Sequence, residues 1–326
     1  MNKMDKKLKI SILSGGPSSE HAVSLNSGKE VFANLDRNYY EPKLIIIDKS
    51  GEWPLAPEDL REKTNIAFLA AHGQYGEDGT IQSELDLLNI PYTGSAAEAS
   101  ALGMNKYFSG LLFKRSGLEI PRTLLFSKSE WRHDLVGIIK KIIWHFPAPW
   151  IIKPNRGGSS IGVGVSARSE QLAINIADLF LVVDEILVQP FIKGREITCG
   201  VLDHGTASSA YPLAPLEIVV PEDKAFDDYY SKYSEVGGSL ALAPARMSNF
   251  LFEGIRQAAV KAHQAIGARG MSRTDMIVGN DGKIYVLEIN TIPGFTRTSL
   301  LPKSAGAHGI EFSELLDRII KSVVNK

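Results

Sequence analysis

Short apolar runs that stop at glycine alternate with helix-period segments over roughly the first hundred residues. Leu8 to Leu13 is apolar enough for a buried strand and ends in Ser14-Gly15-Gly16-Pro17. In the segment that follows, Leu25, Gly28, Val31, Phe32 and Leu35 fall on one helical stripe, with Val23 off it. Strands are expected at Leu44 to Ile47, Ile66 to Ala71 and Ile90 to Thr93, with a helix over Thr80 to Leu88. Strands alternating with helices predict a parallel sheet with crossover helices. Ligands of such sheets sit at the carboxyl ends of the strands, where Ser14-Gly15-Gly16 and His72-Gly73 lie.

A second unit starts near Asn105. A helix over Lys106 to Lys114 leads to a strand at Arg122 to Phe126 and a helix to about Trp144. Strands at Trp150 to Lys153, Gly162 to Val165 and Ile186 to Gln189 follow, with a helix at Glu170 to Leu181. From about Phe191 a third unit carries strands at Glu196 to Leu202 and Leu216 to Val219. It continues with a Tyr-rich polar segment, Asp227 to Ser239, a helix from Asn249 to about Ile266, two strands, and a last helix over Glu311 to Val324. The boundaries expected are 1–104, 105–189 and 190–326 in an α/β chain with no internal repeat.

Composition narrows the choice. The 326 residues are 44% hydrophobic, as in ordinary globular proteins and unlike disordered chains. Lys and Arg number 36 against 37 Asp and Glu, which argues against a broad nucleic-acid or membrane surface. No run approaches the ~18 apolar residues of a membrane helix, and the basic start has no secretory pattern. A cytoplasmic protein fits, because the single Cys199 excludes an internal disulfide and a multi-cysteine zinc site. Cys199 reads as an inert packed thiol.

The densest chemistry lies in Ser272 to Asn290. Two apolar runs flank Asn280-Asp281-Gly282, a hairpin signal. With Asp281-Gly282 as a two-residue turn, Asp275 falls opposite Glu288 and Arg273 opposite Asn290, all on one face. Ile277 and Val286 would continue that face. Opposed carboxylates repel and need an offset. A magnesium site supplies one, with Arg273 beside it to stabilise developing negative charge; a solvated hairpin face with a salt bridge is the plainer alternative.

A second segment, Trp150 to Val163, brings Lys153 off a strand into Gly157-Gly158-Ser159-Ser160. Such a loop suits phosphate oxygens or a plain hairpin, and it lacks the Walker spacing. The dinucleotide fingerprint is also missing after the first strand, which disfavours a nicotinamide oxidoreductase. Gln189-Pro190-Phe191-Ile192 can edge an adenine ring or simply join two units. Glu20 suits a helix N-terminus, and His72 a turn. Gly294 permits close backbone approach ahead of Ser299-Leu300.

Taken together, the chain resembles the D-alanine–D-alanine ligases of the ATP-grasp superfamily. The ordered matches are Gly15-Gly16-Pro17-Ser18-Ser19-Glu20, Val23 to Gly28, His72-Gly73, Gly76 to Thr80, Pro91 to Ser95, Lys153-Pro154, Gly158 to Gly162, and Glu288 to Gly294. The resemblance implies a three-domain ATP-grasp fold with an N-terminal parallel sheet and ATP between the second and third domains. It implies nucleotide contacts from Lys106, Lys153, Gln189, Pro190, Phe191, Ile192 and Glu196. Two Mg²⁺ ions, or Mn²⁺, would be held by Asp275, Glu288 and Asn290, with Glu288 bridging. Glu20 and His72 would serve the first D-alanine, with Ser159 and Tyr233 as partners of Glu20. Lys232, Ser299 and Leu300 would serve the second, with Arg273 and the Gly294 N–H stabilising the oxyanion. A homodimer is implied too. Tyr233 after Lys232 favours D-alanine over D-lactate as second substrate. Gln189-Pro190 departs from the Glu-Lys pair common at this hinge.

Overall fold

The computed structural model describes residues 7–158, 161–219 and 240–324. Its first sheet is parallel, in the order β2-β1-β3: β1 (Leu8–Gly15), β2 (Tyr40–Ile47) and β3 (Ile66–Leu69). The crossovers carry α1 (His21–Asn34) and α2 (Pro57–Lys63), and α3 (Thr80–Leu87) and α4 (Ala97–Met104) follow. Both faces of β1 are covered, so its residues from Ile10 to Gly15 are all buried. The strand expected at Ile90 to Thr93 shrinks to one bridge, Tyr92 with Ala67. Pro91 has no N–H with which to lengthen the ladder; only its C=O accepts, from Ala67 N.

The second unit contains α5 (Lys106–Arg115), β4 (Leu124–Ser127), α6 (Lys128–His133), α7 (Leu135–His145), β5 (Trp150–Pro154), β6 (Gly164–Ser166), α8 (Ser169–Val182) and β7 (Glu185–Pro190). Its strands form an antiparallel sheet ordered β4-β7-β5-β6. The single helix expected up to Trp144 is two. Ser127 and Glu130 form a capping box on α6, and Asp134 leaves helical geometry to cap α7 through Gly137 N.

The third unit has β8 (Gly194–Leu202), β9 (Tyr211–Pro212), β10 (Leu216–Val219), β11 (Leu240–Leu242), α9 (Asn249–Ala265), β12 (Met271–Gly279), β13 (Ile284–Asn290), α10 (Leu300–Ala307) and α11 (Phe312–Val324). Its main path is β11-β10-β8-β12-β13, with β9 beside β8. The cores do not follow chain order. Phe113 of α5 is buried with Ile255 and Ala259 of α9, whereas Leu315, Leu316 and Ile319 of α11 pack with Ile10 and Ile12 under the first sheet. Tyr40 Oη donates to Asp317 Oδ1 at 2.6 Å across that seam. Burying such aliphatic side chains contributes about 2 kcal/mol each, so both ends of the chain hold the first and third units together. Among the described residues no helix is long and apolar enough to cross a membrane.

Candidate active site

The charged face grows from the β12–β13 hairpin. Asp275 pairs with Glu288 and Arg273 with Asn290, as the turn reading expected. The path to that register differs. Gly282 N bonds back to Gly279 O and Gly279 N to Lys283 O, so the turn is a residue longer, and Met276 pairs with Val286. A β-bulge between Asp275 and Met276 restores the pairing. One expectation changes with it. Ile277 keeps to the face of Asp275, now opposite Tyr285, but Val286 lies in the core with Met276 on the opposite side. Between buried Val286 and buried Ile289, both Leu287 and Glu288 are partly exposed, so the bulge turns two successive residues toward the site.

Charge on this face is offset by neighbours. Arg273 grips Asp275 with two bonds, Nε to Oδ1 at 2.9 Å and Nη2 to Oδ2 at 2.7 Å. Thr198, opposite on β8, donates to Asp275 Oδ1 at 2.6 Å. Asn290 Nδ2 donates to Oδ2 at 3.3 Å, which leaves its amide oxygen directed away. Lys106 Nζ lies 3.4 Å from Glu288 Oε2 and also donates to Gly157 O. Lys153 is buried, and burial pushes its ammonium down to about 8, against the pull of Glu288 and with help from Lys106. Among the described residues no three His, Cys, Asp or Glu gather as a metal cluster. The candidate donor set is two carboxylates and an amide, hard oxygens that suit Mg²⁺ with phosphate oxygens completing its shell.

The first sheet supplies the other wall from its strand ends. Glu20 sits at the N-terminus of α1, and its carboxylate lies against two glycine backbones. A methyl on Gly73 would fall 2.8 Å from Glu20 Oε2, and one on Gly158 would fall 3.1 Å away. Gly73 also has φ +74°, so it is doubly required there. His72 is buried and engaged at both ring nitrogens. Nδ1 donates to Ile292 O at 3.0 Å, and Nε2 shares a hydrogen bond with Ser27 Oγ at 2.7 Å. Glu77 is buried 3.7 Å from that ring, and burial raises its carboxyl pKa against the effect of His72. Thr198, Ser27 and Glu77 were missed from sequence. Strand alternation puts Thr198 on the face of Glu196, and Ser27 and Glu77 stand inside the matched stretches Val23 to Gly28 and Gly76 to Thr80 with no role read for them.

Ser299 precedes α10 and makes no capping bond to it; its Oγ meets Thr296 Oγ1 at 2.8 Å. A methyl on Gly294 would lie 2.6 Å from Ser299 Oγ, so the two are in close contact. Cys199 is buried, with its thiol pushed up to about 12 by burial, as an inert thiol should be.

Two cavities collect these residues. The first, about 530 Å³, is lined by Lys106, Lys153, Gln189 to Thr198, Asp275, Leu287 and Glu288 among others. Gln189 is held from behind, its Nε2 donating to Thr123 Oγ1 at 2.8 Å. The second, about 1000 Å³, holds Glu20, His72, Arg273, Asn290, Gly294 and Ser299. Lys106, Gly157, Gly158, Glu288 and Leu300 line both. The shape provides a smaller, mostly apolar chamber joined to a larger, half-polar one at a lysine–carboxylate pair. Ser159, Lys232 and Tyr233 lie outside the described residues.

Comparison with known proteins gives one consistent result. The family described as D-ala D-ala ligase C-terminus matches residues 112–321. Its N-terminal counterpart matches 9–65 and 54–95. The chain is 41% identical over 319 residues to the D-alanine–D-alanine ligase of Syntrophobacter fumaroxidans, covering 97% of each. It is 36% identical to that of Halalkalibacterium halodurans over 98% of this chain and 100% of the relative. Among solved structures, the D-Ala:D-Ser ligase of Enterococcus faecalis is 31% identical with a TM-score of 0.84, over 97% of this chain and 99% of that one. The Bacillus anthracis D-alanine–D-alanine ligase complexed with ATP is 34% identical with a TM-score of 0.79, over 97% of each chain.

Proposed function

The chain belongs to the D-alanine–D-alanine ligase family, and on that premise we propose how its residues join two D-alanines at the expense of ATP. The product is D-alanyl-D-alanine for peptidoglycan precursor synthesis, with ADP and phosphate released. The observation that carries the reading is the shared wall of the two cavities at Lys106, Gly158 and Glu288. A phosphoryl group in the first cavity is thereby brought against a carboxylate in the second.

A carboxylate is a poor acyl donor, so one oxygen of the first D-alanine attacks the γ-phosphorus and ADP leaves. Glu20, braced by the backbones of Gly73 and Gly158, orients the ammonium of that substrate, with His72 fixing the adjoining loop. Lys106 and Lys153 neutralise the moving phosphoryl group. The amine of the second D-alanine then attacks the acyl carbon. Arg273 and the Gly294 N–H stabilise the tetrahedral oxyanion, and phosphate departs with its bridging oxygen. Ser299 and Leu300 hold the second carboxylate, aided by Lys232, and Ser159 and Tyr233 partner Glu20. Gln189, Pro190, Phe191 and Ile192 border the adenine, and Glu196 meets the ribose.

Asp275, Glu288 and the Asn290 amide would hold two Mg²⁺ ions, or Mn²⁺, with Glu288 shared. Such ions supply Lewis-acid neutralisation of phosphate charge when bound. The proposed domains are 1–104, 105–189 and 190–326, with ATP between the last two, in a cytoplasmic homodimer.

The test is phosphate release from ATP and Mg²⁺ with D-alanine, L-alanine, D-serine plus D-alanine, D-lactate plus D-alanine, or no acceptor. The reading expects release with D-alanine alone and the dipeptide by mass spectrometry. Release only in the D-serine or D-lactate mixture would move the second substrate. No release with any acceptor would sink the ligase assignment.

A further inference from the structure

Asp275 is fully subscribed by protein donors. Arg273 Nε at 2.9 Å and Thr198 Oγ1 at 2.6 Å share Oδ1, while Arg273 Nη2 at 2.7 Å and Asn290 Nδ2 at 3.3 Å share Oδ2. A carboxylate has about four lone-pair sites, so a cation entering here must displace a donor. Thr198 approaches from β8 and is buried, and Asn290 lies across the strand pair. Arg273 is the donor with somewhere to go. It lies two residues from Asp275 on β12 and lines the second cavity, whereas Asp275 lines the first. Its fork also carries the charge that opposes a second cation nearby.

We propose that Arg273 is a latch on Asp275: its guanidinium and a divalent ion compete for that carboxylate, so loading the cation frees the guanidinium for an anion in the acyl cavity that Arg273 lines. The inference rests on the metal reading of Asp275, Glu288 and Asn290. It adds an order of events. Before the cation arrives, Arg273 neutralises Asp275, and its fork is engaged there and not on an oxyanion in the cavity it lines. After it arrives, the same charge is available there. The coupling is reciprocal, so an anion that draws Arg273 into the second cavity tightens cation binding in the first.

Binding of Mn²⁺ alone, without nucleotide, tests this through the loss of the free-ion signal in electron paramagnetic resonance. Arg273→Met is expected to bind Mn²⁺ about ten-fold tighter than the unaltered protein, the scale of removing one charge-assisted competitor. Arg273→Lys keeps the charge but loses the fork, and it is expected to bind several-fold tighter. Equal or weaker binding by Arg273→Met overturns the latch, as does no binding by either protein up to millimolar Mn²⁺. A gain in Arg273→Met with none in Arg273→Lys also overturns it, leaving Arg273 a background charge. Glu288→Gln separates the two readings. If it abolishes Mn²⁺ binding and Arg273→Met does not tighten it, the latch alone fails. If it leaves Mn²⁺ binding unchanged, the metal site itself fails, and the latch with it.

Discussion

The parallel sheet of β1, β2 and β3 and the antiparallel sheet around β8, β12 and β13 both wall the cavities, but they deliver chemistry by different routes. Strands β1 and β3 are buried on both faces while the edge strand β2 turns Glu41 and Lys43 to solvent, so the sheet's chemistry reaches the site only past the strand ends, at Glu20 and His72. Each such end is a tight loop whose glycines let backbones close on side chains, as Gly73 does on Glu20. The antiparallel strands instead present one whole face, and register decides which side chains meet there. One sheet depends on glycine at a few positions; the other depends on alignment.

Breaking the antiparallel face should cost most. Glu288→Gln leaves the ladder intact and removes the carboxylate that both cavities share. A loss of ~10³-fold in kcat is expected from steady-state phosphate release. Breaking a strand-end loop costs less and falls on the amino acid. Gly73→Ala strains a backbone at φ +74° and drives a methyl to within 2.8 Å of Glu20 Oε2. KM for the first D-alanine should rise about 30-fold, as expected for ~2 kcal/mol of strain, with ATP affinity within about two-fold of normal by calorimetry.

The lysine beside the antiparallel face sharpens the contrast through pH. Burial favours the neutral amine of Lys153, so its proton leaves near pH 8 and not in the ordinary lysine range. The ammonium is the form that attracts phosphate. ATP affinity is therefore expected to be full below pH 8 and to fall by up to about ten-fold per pH unit above it. Lys153→Met should flatten that profile, and a fall beginning only near pH 10 would refute the assignment. Leu287, the extra residue of the bulge, is expected to matter to the nucleotide alone. Leu287→Ala should raise KM for ATP several-fold through lost apolar contact and leave the D-alanine constants unchanged. The smallest effect is expected at Cys199. Cys199→Ala, or a thiol reagent on the unaltered chain, should keep activity within about two-fold, because the buried thiol stays protonated.

Much of this was legible in the chain. The strand-end loops announce themselves as Gly-rich motifs, because close approach leaves few residue choices. Asp275 opposite Glu288 was also readable, although by a turn one residue too short that the bulge then compensated. The bulge itself was hidden, since Tyr285-Val286-Leu287 alternates no less well in either register, and Val286 was put on the wrong face in consequence. Tertiary packing hid the rest. Nothing near Phe113 says that α5 buries itself under α9, and nothing near Glu77 says that it will face His72. Helix α2 escaped because one buried residue, Leu60, anchors it, too little for a periodic signal. The split of α6 from α7 turned on the backbone at Asp134, which a helical pattern passes over.

In the proposed mechanism ATP activates the first D-alanine as an acyl phosphate. D-alanine carrying ¹⁸O in its carboxyl group tests it most directly, with the isotope followed into the released phosphate by mass spectrometry. One labelled oxygen in phosphate is expected for each dipeptide formed, because the oxygen that attacks the γ-phosphorus leaves with it. Dipeptide formed alongside unlabelled phosphate would rule out an acyl phosphate.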